Sequence, residues 1–336
     1  MTNFKDIKIF AGPMSKNLVD SVTNFCEKKN IRMGLIPSRR QIEYKGGYVN
    51  NWTTSEFTKY VRNKTNKVVL QRDHGGRLQG NLGTNDWSSF KTDVLSGFDL
   101  IHVDPWKMFV DLDEIVEETV KNIRNCSLVN PKCSYEIGTE EAIHKYSYEE
   151  LDYFLAKTKE KLDPETWKSI KYAVIQAGTR IIGTKNVGFF DEKRCKNMIN
   201  VCKKYNLLSK EHNGDYLTHE QIKKRFSIGL NAINIAPEFG VLETKTILRH
   251  LKKDDELFEK WFQLCYNSKR WIKWLPEGFS ASSEVDKLKI VEVSGHYLFA
   301  NEEFKQIKNK IKDIDKKICR VYNKYLTSLF KNGVKT

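Results

Sequence analysis

The sequence predicts an α/β fold, a (β/α)8 TIM barrel carrying a C-terminal helical extension, and three observations point there. Short apolar runs alternate with amphipathic helical stretches about every 25 to 40 residues, the order expected of parallel strands joined by crossover helices. Eight such runs fall within about 250 residues, the arithmetic of an eight-fold closed barrel. No Gly/Ser-rich or Pro-rich linker interrupts them. The competing architecture is an open doubly wound sheet, whose first turn usually carries a glycine-rich fingerprint; Ala11-Gly12-Pro13-Met14 is not one.

In chain order the strands are Ile7–Ala11, Arg32–Pro37, Lys67–Arg72, Leu100–Asp104, Ser134–Gly138, Ala173–Ala177, Leu207–Glu211 and Ala232–Ala236. Val68-Val69-Leu70 and Ala173-Val174-Ile175 are near-continuous apolar segments, as suits strands covered on both faces. Between them lie amphipathic stretches at Ser55–Lys64, Asp113–Cys126, Tyr148–Leu162 and Glu192–Tyr205, with Ser147 and Asp191 placed like N-caps. After His250 the pattern changes, which divides the chain into a barrel over 1–250 and an extension over 251–336. Asp254–Trp274 and Glu302–Phe330 read as long helices with an irregular segment between them. Trp261, Trp271 and Trp274 need apolar cover, so the tail should lie on the barrel's outside or build an oligomer contact.

A chain of 336 residues, 40% apolar and 30% charged, is outside the disordered, collagenous and coiled-coil classes. The longest uncharged apolar runs are far short of the ~20 residues that cross a bilayer, and Met1–Met14 lacks a signal-peptide core, so a cytoplasmic protein without a membrane partner is expected. Seven cysteines, with no Cys-x-x-Cys pair, read as reduced and mostly buried thiols. The net charge of +14 is spread along the chain as lysine, whereas nucleic-acid readers concentrate arginine and aromatics in one element. No nucleic-acid partner is therefore expected. The densest run, Lys305–Lys317, falls on a helical pattern as a solvated face, and the basic balance favours anionic small ligands.

In such barrels the active site is made at the carboxyl ends of the strands. Here those ends are unusually polar: Ser38-Arg39-Arg40-Gln41, Arg72-Asp73-His74-Gly75-Gly76-Arg77, His102-Val103-Asp104-Pro105-Trp106-Lys107, Glu136-Ile137-Gly138-Thr139-Glu140-Glu141, Gln176-Ala177-Gly178-Thr179-Arg180 and Glu211-His212-Asn213-Gly214-Asp215-Tyr216. Two or three imidazoles and several carboxylates in one cleft suit a divalent metal with a general acid/base. The arginines could pair with Glu43, Asp73 or Glu140, yet forked donors at a barrel mouth also suit a phosphate or sugar carboxylate. Gly46-Gly47 and Gly75-Gly76 permit close backbone approach. His144, His219 and His250 fall on helical stretches as surface or packing residues, and His296 is given no role.

Leu35-Ile36-Pro37-Ser38-Arg39-Arg40-Gln41-Ile42-Glu43-Tyr44-Lys45-Gly46-Gly47-Tyr48, then Arg72-Asp73-His74-Gly75-Gly76, Ile101-His102-Val103-Asp104, Tyr135-Glu136-Ile137-Gly138-Thr139-Glu140, and Glu211-His212-Asn213-Gly214-Asp215-Tyr216 resemble, in register, the tagatose-bisphosphate aldolase non-catalytic subunit family. The resemblance implies a class II aldolase-like barrel whose active relatives bind a divalent metal, usually zinc, and cleave or join phosphorylated ketoses through an enediolate. It implies Asp73 as the proton-transferring carboxylate, His74 as the adjacent metal ligand, and Glu136 and His212 as further ligand candidates. Glu136 and Asp104, at the same strand ends, are further candidate catalytic carboxylates. Arg39, Arg40, Arg77, Lys107 and Arg180 would then hold the anionic sugar, with Gln176 a further candidate at the same mouth. The sequence departs from catalytic class II aldolases at the end of strand six, where a metal histidine is replaced by Gln176-Ala177-Gly178. Either Glu136 or His102 then supplies the missing ligand, or the chain serves as a stabilising partner subunit. Aldol cleavage and epimerisation of a phosphorylated, nucleotide-linked or acidic sugar both fit the residues.

Overall fold

The computed structural model describes residues 3–81, 84–139, 144–251 and 255–334. Its strands are β1 (Ile9–Ala11), β2 (Met33–Leu35), β3 (Val68–Gly75), β4 (Leu100–Val103), β5 (Ser134–Gly138), β6 (Ile170–Ile175), β7 (Ile181–Ile182), β8 (Lys185–Asn186), β9 (Leu208–Glu211) and β10 (Ala232–Ile235). Eight of them close a barrel in the order β1-β2-β3-β4-β5-β6-β9-β10, every pairing parallel, while β7 and β8 form a small antiparallel hairpin after β6. The seam is the pairing of Phe10 with Asn234. Each expected strand falls on a barrel strand. The sixth begins earlier and ends at Ile175, because Gly178 (φ +92°) turns the chain out of the ladder so tightly that a Cβ there would meet the Phe189 carbonyl.

Among the described residues nine helices accompany the barrel: α1 (Lys16–Lys29), α2 (Thr54–Arg62), α3 (Asp86–Ser96), α4 (Leu112–Val129), α5 (Tyr148–Lys161), α6 (Pro164–Ser169), α7 (Glu192–Lys204), α8 (His219–Ser227) and α9 (Pro237–Leu251). Local chemistry starts them where the sequence indicates. Ser147 completes a capping box with Glu150 at α5, and the Asp191 carboxylate accepts from the Arg194 N–H at α7. His144, expected on a helix, lies instead in an irregular segment before α5.

The extension contains α10 (Asp255–Ser268), α11 (Glu284–Ser294), α12 (Glu302–Asn309) and α13 (Ile314–Ser328). Both long helices expected there are interrupted. The first stops at Ser268; Lys269 turns into the left-handed region and Trp271 folds back to donate its Nε1–H to the Tyr266 carbonyl. Asp254 lies outside the described residues. The second breaks after Asn309, with Asp313 at φ +55°, and this redirects α13 across α1 and α9. Lys308 thereby turns inward to pair with Asp315 at 2.6 Å, so the lysine run is not a uniform solvated face. Helix α11 gives no amphipathic signal in the sequence because its apolar residues fall all around it. Trp261 and Trp271 are buried in the same apolar cluster as the barrel helices, with Trp274 packed against it. Of the cysteines, six are buried and one half-buried, and none is bridged. Among the described residues no helix is long and apolar enough to cross a membrane.

Candidate metal centre at the barrel mouth

The carboxyl end of β3 is bulged: Arg72 pairs with Ile101, but Gly75 pairs with Val103, leaving one extra residue on β3. His74 takes up the slack at φ +48°, and Gly75 lies so close to β4 that a Cβ would stand 2.8 Å from the His102 carbonyl oxygen. Glycine at 75 thus lets the two strands approach, and the bulge brings His74 beside its neighbours. The imidazoles of His74, His102 and His212 form a near-equilateral triangle, with ring centroids 5.2, 5.2 and 5.1 Å apart. Asp73 joins them: each of the four offers one ligand atom within 4.8 Å of the others.

Carboxylates hold two of these rings from behind. Asp104 Oδ2 lies 2.6 Å from His74 Nδ1, and it also accepts from Gln79 Nε2 at 2.7 Å. Burial alone would raise the Asp104 carboxyl, but His74 beside it brings it down to about 2. Glu136 Oε1 lies 3.1 Å from His212 Nε2 and 3.7 Å from His102 Nδ1. Although buried, Glu136 is held well below the usual carboxylate range, chiefly by the Lys210 ammonium 2.8 Å from its Oε2. Gln71 completes this layer, donating to Glu136 and accepting from Lys210. Burial pulls His102 down to about 4, so its ring is neutral at physiological pH, the form that ligates a metal. Among the described residues, buried Asp73 Oδ1 and His102 Nδ1 have no hydrogen-bond partner, which is the state of ligand atoms awaiting a cation.

Glu136, offered above as a ligand, stands outside the four-residue group. The anion-binding expectations divide. Arg39 is buried, with its guanidinium taken up by Glu43 at 2.6 Å, the Gly76 carbonyl at 2.6 Å, Asp86 and Thr84; this leaves it no face for an anion. Gln176 is likewise occupied, bracing Tyr146 N–H, the His144 carbonyl and Arg194. Arg77 is exposed and loosely placed, 3.9 Å from Asp86. Arg40 is exposed at the mouth, Lys107 donates to Gln79, and Arg180 lines a cavity of about 790 Å³ with Gly178, Asn213 and Trp274. Glu140 and Glu141 lie outside the described residues. The sequence reading missed Gln71, Gln79 and Lys210. The signal was there in Lys210: within a strand, its parity is opposite to that of Glu211, which faces outward to Arg225 at 2.7 Å.

A closed parallel eight-stranded barrel defines the class, a (β/α)8 protein, here with three imidazoles and a carboxylate gathered at the carboxyl ends of its strands where they could hold a metal ion. Solved structures share the fold over nearly the whole chain. A probable tagatose 6 phosphate kinase from Sinorhizobium meliloti 1021 superposes with a TM-score of 0.72 at 12% identity, covering 97% of this chain and 100% of that one. The fructuronate-tagaturonate epimerase UxaE from Cohnella laeviribosi gives 0.65 at 10% identity, covering 98% and 82%. The YdjI aldolase from Escherichia coli K12 gives 0.58 at 11% identity, covering 100% and 95%. No family model matches the chain, and no curated protein sequence does. These neighbours carry the barrel that the sequence resemblance implies.

Proposed function

We propose that the chain is a metal-dependent aldolase or epimerase acting on a phosphorylated, nucleotide-linked or acidic sugar through an enediolate. The convergence of Asp73, His74, His102 and His212 carries the reading. The aldolase and epimerase named among the structural neighbours favour it over other chemistries this fold hosts. The donor set fits a divalent cation of the zinc type: neutral nitrogen ligands, one carboxylate, and partner carboxylates that fix two of the rings. Such a cation would be held by His74, His102 and His212 and would supply Lewis-acid stabilisation of the negative charge developing on the substrate.

The chain's own groups account for the rest. Asp73, whose Oδ1 lies 3.8 Å from His74 Nε2, moves the proton at the reacting hydroxyl or carbon. Asp104 and Glu136 act as positioning residues, each fixing an imidazole, with Lys210 keeping Glu136 ionised. Arg40, Lys107 and Arg180 face the anionic end of the sugar. The reading makes the protein cytoplasmic, working as a homo-oligomer or beside an aldolase subunit, without nucleic acid or membrane.

Metal analysis tests it. The purified chain, reconstituted with zinc and desalted, should retain about one equivalent, and His74→Ala and His212→Ala should each lose it. Retention of the same occupancy in both variants, or no binding by the parent chain, would sink the enzyme reading and favour a stabilising subunit.

A further inference from the structure

The loop after α10 returns to the barrel mouth and brings two cations with it. Lys273 Nζ stands 5.9 Å from the Tyr297 ring centroid and 4.1 Å from that of Trp274, and the Arg270 guanidinium stands 5.7 Å from Tyr297. Tyr297 is anchored to both parts of the molecule: its hydroxyl accepts from Trp274 Nε1 at 3.1 Å, and its ring meets Tyr48, on the loop after β2, at 5.0 Å. Arg40 belongs to that same loop, its carbonyl accepting from Tyr48 N–H. Arg40, Arg270 and Lys273 make no ion pair among the described residues, although all three are solvent-accessible. Like charges gathered without a counter-ion are costly unless an anion joins them.

We propose that Arg40, Arg270 and Lys273 form the subsite that holds the phosphoryl group of the sugar, so that the C-terminal extension supplies part of the active-site mouth. Lys273 is pulled down to about 8 by the protein crowding it and by the charges of Arg40, Arg270 and Lys107. Lys107 also marks the route to the chemistry, since it donates to Gln79, which donates to Asp104, which holds His74. Three cations exceed what one carboxylate needs and match a dianion, and two of them are forks suited to phosphate oxygens. The subsite rests on the sugar-phosphate reading for its place beside the histidines, but it is testable without turnover.

Inorganic phosphate titrated calorimetrically into the full chain, zinc-loaded and chelator-stripped, is the probe. The parent chain should bind it in both forms, and Arg270→Gln and Lys273→Gln should each weaken binding about tenfold or more while thermal denaturation and zinc content stay as in the parent. Phosphate binding unchanged in both variants, or absent from the parent, overturns the subsite whatever the zinc analysis gives. Acetate binding as tightly as phosphate overturns its assignment to a phosphoryl group. Loss of zinc retention with phosphate binding intact would remove the metal reading and leave the subsite standing.

Discussion

The two halves of the barrel interior differ in kind. Its floor is apolar: Phe4, Ile7, Phe10, Ile36, Val69, Leu100, Tyr172 and Ala232 form a buried cluster without a charge among them. Its upper half holds Glu136, Lys210 and Gln71, buried and joined by an ion pair and hydrogen bonds, with His102 and Asp104 buried beside them. Lys210 is the border, its ammonium 3.5 Å from the Phe10 ring centroid on one side and 2.8 Å from Glu136 on the other. Burying ions costs stability that apolar side chains of similar volume would not, so the charged layer is explained by what it orients rather than by what it stabilises.

Mutation separates the halves most sharply at Lys210. Lys210→Met should destabilise the fold by about 3–5 kcal/mol by leaving Glu136 ionised and unpaired, and adding Glu136→Gln should recover most of that. Leu100→Ala on the floor should cost ~2–5 kcal/mol with no second-site recovery. Urea unfolding of the four chains would break the contrast if the double variant were no better than Lys210→Met. A step smaller in free energy, Asp73→Asn should leave zinc content intact while lowering turnover of the sugar about 100-fold, and full activity would remove Asp73 from proton transfer.

Much of this was legible in the sequence. Apolar runs such as Val68-Val69-Leu70 marked the strands because both faces of a barrel strand are covered, and strand ends located the polar mouth. The direction of a side chain beyond the last ladder pair was not legible. Arg39 and Arg40 are neighbours of one type, yet one is locked against Glu43 and the other faces solvent. Gln176 drew notice as a replacement for a histidine, but its amide is consumed by the segment at 144–146, a contact that no spacing encodes. Sequence alone does not choose between His102 and Glu136 as ligand, because both lie on inward positions of adjacent strands, paired in register.

The smallest effect expected is in pH. His296, buried against the α9 glycine Gly240, is pulled down to about 3 by burial and by the charge of Lys273. The unfolded chain takes up that proton below about 6.5, while the folded ring refuses it until about 3. Stability should therefore fall as pH drops through 6.5 toward 3, by on the order of 1–2 kcal/mol between pH 7 and 5 from this residue. His296→Leu should flatten the urea-midpoint profile over that range, and an unaltered slope would remove His296 as a source of acid sensitivity.

The polar contact under α13 has a mechanical side. Tyr322 donates to the Phe239 carbonyl and lies 2.9 Å from Glu243 Oε2, while Glu243 also receives Ser15 and Asn17, so one side chain ties the first barrel helix, the last, and a helix that follows both. That knot lies over the seam where Phe10 meets Asn234, the pairing with the longest span of chain between its partners. The helices that follow the first and last barrel strands are thus tied to each other through a third helix from outside the ring, so α13 braces the two ends of the barrel chain against one another.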